Sequence, residues 1–212
     1  MAILEKIQRC VIEGDQDEIG ALVQAALDEG IKPLKIINEG LIEGMNIVAP
    51  LFKSGEMFVP EVMGSADTMN EGMLVVKPLI KDDEVPTKGK IIVGTVNGDL
   101  HDIGKNLVLM MMESRGYTVV DLGVDVKEED FSAAVREHQP DIVGMSSLLT
   151  TTMMKIEDTI KQLEKDNLRD QVKIVIGGAP VSQEYADEVG ADGYSEDAST
   201  AVELCDKLLA KN

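Results

Sequence analysis

The 212-residue sequence predicts an α/β protein with an all-α N-terminal domain: a four-helix bundle followed by a doubly wound, five-stranded parallel sheet. Three observations predict it. Apolar residues follow a helical period over roughly the first 80 residues. The polar stretch 81–90 then carries Pro86 and Gly89, as a linker should. Beyond it, short β-branched runs alternate with helical stretches, the pattern of strands covered on both faces by helices. The expected boundaries are residues 1–82 for the bundle, 83–90 for the linker and 91–212 for the α/β domain.

Taken in order, Ile3, Ile7 and Val11 share one helical face, and Ile19, Val23, Ala26 and Leu27 share another. Asp15-Gln16-Asp17 offers an N-cap between these two helices, and Gly30 ends the second. Pro33 suits the first turn of a third helix, with Leu34, Ile37, Leu41, Met45 and Val48 turned inward. Ser54-Gly55-Glu56 breaks the chain, and Pro60 opens a fourth helix with the stripe Val62, Ala66, Met69, Met73 and Val76. Strands are expected at 91–95, 118–122, 141–145, 173–176 and 192–194. Helices are expected at 103–115, 128–138, 151–165, 182–189 and 197–210, which completes a flavodoxin/Rossmann-like alternation. Ligands of such sheets bind beyond the carboxyl ends of the strands.

Composition narrows the class of partner. A net charge of −19 with a pI near 4.4 opposes binding to nucleic acid or to an anionic membrane, since both require a basic face. The longest apolar run, Leu107–Met112, falls far short of the roughly 20 residues that span a bilayer. Charge interrupts the N-terminal segment before a signal-peptide core can form. Cys10 and Cys205 have neither CxxC nor zinc-finger spacing and read as buried thiols. A soluble cytoplasmic protein is expected.

The informative residues fall at three predicted strand ends. Gly98-Asp99-Leu100-His101-Asp102-Ile103-Gly104-Lys105 follows the first strand, Ser146-Ser147-Leu148-Leu149-Thr150 the third, and Gly177-Gly178-Ala179-Pro180 the fourth. The first loop presents one imidazole flanked by carboxylates. A metal-ligating histidine hands its other ring N–H to such a carboxylate, which fixes the tautomer and raises its basicity. Asp99 is placed for that role, and Ser146 could extend the chain by one hydrogen bond. Gly104 would let the next helix approach, and Gly177-Gly178 would let something bulky lie against the backbone. Taken singly, each has a plainer reading: a loop histidine is commonly solvated, and a Gly-Gly after a strand is commonly a turn. The other histidine, His138, reads as a surface residue at a helix end.

Together the three segments resemble the cobalamin-binding signature Asp-x-His-x-x-Gly, Ser-x-Leu, Gly-Gly of methionine synthase, corrinoid-dependent mutases and small methyltransferase corrinoid proteins. Here it reads Asp99-x-His101-x-x-Gly104, Ser146-x-Leu148 and Gly177-Gly178, with 41 residues between the first two elements and 28 between the last two. The N-terminal half resembles the helical cap of methyltransferase corrinoid proteins in three segments, Gly44–Val48, Phe52–Pro60 and Ser65–Met69. The run Leu149–Met153 looks closest to the corrinoid subunits of methanol, methylamine and quaternary-amine systems.

The resemblance implies a cobalamin cofactor (methylcobalamin or hydroxocobalamin) bound base-off, with His101 as lower ligand to cobalt, Asp99 orienting it and Ser146 completing the relay. It implies that the loop Gly98, Leu100, Asp102, Ile103 and Gly104 borders the cofactor. Gly177, Gly178 and Ala179 would line the channel for its nucleotide tail, with Leu148, Thr150, Gly193 and Tyr194 near the buried base. Met69 and Met73 would face the corrin from the cap, although a methionine stripe at helical spacing is also ordinary core. The implied role is a methyl carrier cycling between Co(I) and methyl-Co(III), not catalytic alone. Its implied partners are a substrate-specific methyltransferase, a corrinoid:thiol or corrinoid:tetrahydrofolate methyltransferase and a reductive activase. Methanol, methylamines, quaternary amines and aryl methyl ethers all stay open as donors.

Three alternatives differ in class. A subunit of an adenosylcobalamin mutase shares the signature but has no need of the helical cap. A cobalamin-responsive regulator requires a DNA-binding helix-turn-helix and a basic face. A cofactor-free receiver or nucleotide domain leaves His101 unexplained, and no phosphate-cradling glycine loop follows the first strand.

Overall fold

The computed structural model describes residues 2–79 and 87–210; residues 83–86 of the expected linker lie outside that range. The chain forms two compact units, Met1–Thr87 with Ser114–Gly116, and Lys88–Glu113 with Tyr117–Asn212.

The first unit is helical: α1 (Ile3–Glu13), α2 (Gln16–Asp28), α3 (Pro33–Ile36), α4 (Glu43–Ser54) and α5 (Val59–Val76). Asp15 caps α2 by accepting from the Glu18 amide at 3.1 Å. Gly30 takes a left-handed conformation just past the end of α2. Pro33 stands in the first turn of α3. The expected third helix is continuous through Ser54 but passes through a π-helical turn, Ile37–Ile42, that joins α3 to α4. Such a turn adds one residue of backbone, and the residue types of Ile37–Ile42 do not mark it. The stripes meet in one core that includes Ile7, Val11, Ile19, Val23, Leu41, Val48, Val62 and Val76. Met69 belongs to that core at 5% exposure, and Met73 is half-buried.

The second unit contains β1 (Lys90–Val96), α6 (Ile103–Ser114), β2 (Thr118–Val126), α7 (Glu128–His138), β3 (Ile142–Ser146) and α8 (Thr150–Lys165). It continues through β4 (Lys173–Gly177), α9 (Gln183–Val189), β5 (Gly193–Ser195) and α10 (Ala198–Leu209). Every strand pair is parallel and the order is β2-β1-β3-β4-β5. The direction of winding reverses at β1, so the loops after β1 and β3 diverge and leave a crevice at their carboxyl ends.

The two-residue strand period divides the sheet into unlike faces. Ile92, Val143 and Ile174 join Phe131 of α7, Ile156 and Ile160 of α8 and Ala186 of α9 in a closed core. Their neighbours Ile91, Val93, Ile142, Gly144 and Val175 point the other way, into a cavity flanked by α6 and α10. One face of the sheet is thus filled by protein, and the other holds space for something else.

β2 departs from the expected strand by running four residues further, to Val126, with two irregularities in its register against β1. Gly123 and Asp125 have positive φ there, and their Gly/Asp composition reads as loop rather than strand.

Among the described residues, no helix is long and apolar enough to cross a membrane.

Candidate functional site

Gly98, in a left-handed conformation, closes the turn at the end of β1, where the Asp99 amide donates to the Val96 carbonyl at 3.1 Å. The turn carries Asp99 into the interior, where it is fully buried. One carboxylate oxygen lies 2.7 Å from His101 Nδ1 and also accepts the His101 amide at 3.1 Å. The other accepts from the Leu148 amide at 2.8 Å, the Leu149 amide at 3.3 Å and Thr152 Oγ1 at 2.8 Å. Those donors lie at the entry to α8, so Asp99 supplies from another loop the cap that α8 does not get from its own N-cap residue, Leu149.

Burial alone would push the Asp99 carboxyl up. Hydrogen bonds from the Leu148 amide, His101 Nδ1, Thr152 Oγ1 and the His101 amide outweigh it and hold the group well below the usual carboxylate range. Asp99 therefore stays ionised, and because a carboxylate can only accept, His101 Nδ1 is the donor of this pair and Nε2 is the ring nitrogen not engaged by it. The His101 side chain is 51% exposed while Asp99 has no exposure, so the ring is anchored at one nitrogen and open at the other. Thr95 Oγ1 fixes the backbone as well, donating to the His101 carbonyl at 2.9 Å.

Ser146 is not the hydroxyl behind Asp99, as the sequence suggested; Thr152 is. Strand parity explains the difference. Ser146 follows Ile142 and Gly144 onto the cavity face, whereas Thr152, in the first turn of α8, points back over the helix entry. Ser147, fully buried, meets Thr152 Oγ1 at 2.9 Å and extends the chain. A third threonine after a Ser-x-Leu carries no signal of its own, and periodicity places the helix start that aims it only to within a residue or two.

Below His101 lies a cavity of about 700 Å³, in the range of pockets that take drug-sized organic ligands. Leu100, His101, Asp102, Ile103, Gly104, Ser146, Leu148, Gly177, Gly178 and Ala179 all line it. So do Met112 of α6 and Ala201 and Cys205 of α10, which the motifs did not indicate. The lining reaches from the strand ends back to Ile91 and Ile142 near the strand starts, about 15 Å at 3.3 Å per residue.

Four expected residues of this unit do not line it; Gly98 forms the turn at the end of β1, and the other three lie elsewhere. Tyr194 packs against the closed core on the opposite face, Gly193 abuts Leu204 of α10, and Thr150 is exposed at the start of α8. Ser195, Glu196 and Asp197 line the cavity in their place, one to three residues further along the chain.

The glycines also divide. A Cβ on Gly178 would sit 1.8 Å from the Ser147 carbonyl oxygen, so this glycine is required by neighbouring backbone. A Cβ on Gly104 would meet nothing within 4 Å, so helix approach does not require this glycine; it keeps the space beside His101 clear.

Among the described residues, no group of three or more His, Cys, Asp or Glu could hold a metal ion. A metal at Nε2 must therefore bring its remaining ligands with it. One half-exposed imidazole thus stands beside a deep, mostly apolar channel.

Comparison with known proteins agrees. Residues 89–203 match the B12 binding domain family, and residues 3–77 match a second model described as a B12 binding domain. A corrinoid protein of Desulfitobacterium hafniense (strain Y51) is 45% identical, covering 100% of this chain and 99% of that protein. Dimethylamine corrinoid protein 1 of Methanosarcina acetivorans is 42% identical over 98% of both chains. A chain in the crystal structure of the methanol:cobalamin methyltransferase complex of Methanosarcina barkeri superposes with a TM-score of 0.92 at 33% identity, over 99% of this chain and 80% of that one. The chain belongs to the B12-binding family of corrinoid proteins, and its cofactor is a cobalamin-type corrinoid.

Two predictions arise here. Asp99→Asn keeps the shape but donates an amide into a cluster of donors. It should weaken corrinoid binding about 10- to 100-fold, by titration with hydroxocobalamin, and lower stability by about 1–2 kcal/mol, by denaturant unfolding. Unchanged values for both would remove Asp99 from the site.

The second concerns Cys205, 1% exposed on the cavity wall, whose thiol is pushed from 9.0 to about 12 by burial and then by Asp206. The folded state holds this proton more tightly than the unfolded state. The resulting stabilisation is complete below pH 9.0 and disappears as pH rises toward about 12. The native apoprotein should resist alkylation by iodoacetamide at pH 8. Its Tm should also fall more steeply above pH 9 than that of Cys205→Ala. Parallel Tm curves for the two proteins would contradict this.

Proposed function

We propose that this protein carries methyl groups on a corrinoid bound base-off, with His101 Nε2 as the lower ligand to cobalt. The observation that supports this reading best is the 2.7 Å pair between His101 Nδ1 and a fully buried, ionised Asp99, which leaves Nε2 open beside the cavity. When bound, the corrinoid supplies a cobalt that accepts a methyl group and gives it up again.

The chain's own residues do the rest. Asp99 accepts the hydrogen bond from Nδ1 and so fixes the orientation in which Nε2 is presented. Asp99 is pinned as a carboxylate by the entry of α8, so it stays an acceptor for the ring and would hold the imidazole in one orientation toward a bound corrinoid. Leu148, Ile103 and Gly104 border the space beside the ring, and Val93, Ile142, Val175 and Ala201 offer the nucleotide tail an apolar channel.

Relatives named for dimethylamine and trimethylamine, and the likeness to a methanol:cobalamin methyltransferase complex, support a substrate-specific methyltransferase as partner. A second methyltransferase acting on a thiol or tetrahydrofolate-type acceptor, a reductive activase and a cytoplasmic location complete the proposal.

The test is reconstitution with hydroxocobalamin, reduction, and incubation with candidate methyl donors with and without the methyltransferase specific for each. Methylation should follow only when a matching enzyme is present. Methylation by free donors alone, or by none of the methanol, methylamine, quaternary-amine and aryl methyl ether enzymes, would count against the carrier reading.

A further inference from the structure

We propose that Asp125, at the bulged end of β2, is a positioning residue for His101: it clamps the entry of the histidine loop, while Asp121 of the same strand clamps its exit. The proposal rests on the reading of His101 as the cobalt ligand.

The geometry is specific. Asp125 Oδ1 accepts from the Gly98 amide at 2.6 Å and from Asn97 Nδ2 at 2.9 Å. The Asp125 amide donates to the Asp99 carbonyl at 3.0 Å, so three consecutive residues, Asn97, Gly98 and Asp99, are tied to one residue of the neighbouring strand. On the far side, Asp121 Oδ1 accepts from Lys105 Nζ at 2.5 Å; the lysine side chain is 1% exposed and lies in the first turn of α6. His101 sits between these two brackets, and its own carbonyl is held by Thr95.

The backbone of β2 is shaped to make this possible. Val93 pairs with Asp121, Gly94 with Gly123 and Val96 with Val126, so β2 carries one additional residue in each interval. Each bulge includes a left-handed residue, Gly123 (φ 84°) and Asp125 (φ 55°). A side-chain-bearing residue in that region is uncommon, and aspartate is among the few that tolerate it. Without the second bulge, Asp125 would stay in register with β1 and could not turn over the loop. The Asp125 side chain serves no core and no helix cap; its contacts are with the loop that presents the ligand.

The test uses Asp125→Gly and Asp125→Asn in the full chain. Glycine adopts the left-handed backbone without strain and so removes the carboxylate alone. Asparagine keeps one acceptor oxygen and the same conformational tolerance.

In the apoprotein, amide exchange at Gly98 should speed up at least about ten-fold in Asp125→Gly and stay near wild type in Asp125→Asn. In the corrinoid-loaded protein, the ratio of imidazole-ligated to imidazole-free cobalt, read from the nitrogen splitting in the Co(II) resonance spectrum, should fall roughly three- to ten-fold in Asp125→Gly and recover in Asp125→Asn. Unchanged Gly98 exchange in Asp125→Gly overturns the clamp. Faster exchange with unchanged ligation overturns the positioning role. Failure of asparagine to rescue either signal does so too. Absence of nitrogen splitting in the wild type overturns both this role and the ligand reading, and is told apart because it precedes any substitution.

Discussion

Alanine at His101 is expected to abolish the nitrogen splitting of the Co(II) spectrum and shift the visible bands of the loaded protein to those of corrinoid without an axial imidazole. The protein should still fold and still hold corrinoid. The ring is half-exposed, and the channel walls of α6, α10 and the sheet are untouched. Asp99 keeps its donors from Leu148, Leu149 and Thr152, so the cap of α8 survives. The measurement is the spectrum at equal corrinoid content. A spectrum identical to wild type would show that another group binds cobalt.

Gly178→Ala should be the most damaging single methyl group in the α/β unit. Its Cβ would lie 1.8 Å from the Ser147 carbonyl oxygen, at a φ of 122° that alanine rarely adopts, with the Ser147 backbone carbon and nitrogen at 2.8 and 3.1 Å. These backbone atoms cannot rotate away, so the strand-end loops after β3 and β4 must separate. A loss of about 4 kcal/mol or more is expected. It would be read as a fall in Tm on the order of 15 °C.

Gly104→Ala provides the contrast. That methyl meets no protein atom and improves a helical position, so the apoprotein should be unchanged or about 0.5–1 kcal/mol more stable. Corrinoid affinity should nevertheless fall about ten-fold or more, because the methyl occupies space beside His101. A stable Gly178→Ala, or a Gly104→Ala that binds normally, would reverse the roles assigned to these glycines.

Much of this was legible in the sequence because it depends on period and spacing. Alternating β-branched runs located all five strands to within a residue or two, except at the end of β2. The Asp-x-His spacing placed the carboxylate within reach of Nδ1, since two residues in one loop need no tertiary information to meet.

What escaped was whatever depends on where separate loops cross. Thr152 reaches Asp99 from 53 positions away, and Asp125 reaches Gly98 from 27. Neither sits in a pattern that marks it out. The face taken by Tyr194 is hidden for a related reason: a three-residue strand leaves too few alternations to assign it.

The bulged end of β2 has one more consequence. With the order β2-β1-β3-β4-β5, one sheet margin is β2 and the other is β5, only three residues long. A nine-residue flat margin would present a ladder of unpaired amides and carbonyls to any other chain. Two left-handed kinks and the carboxylates of Asp121 and Asp125 break that ladder where it would otherwise be longest. The deformation that brackets the histidine loop thus also discourages strand-to-strand aggregation. Straightening β2 to improve its pairing would be expected to lower solubility as well as disturb the loop.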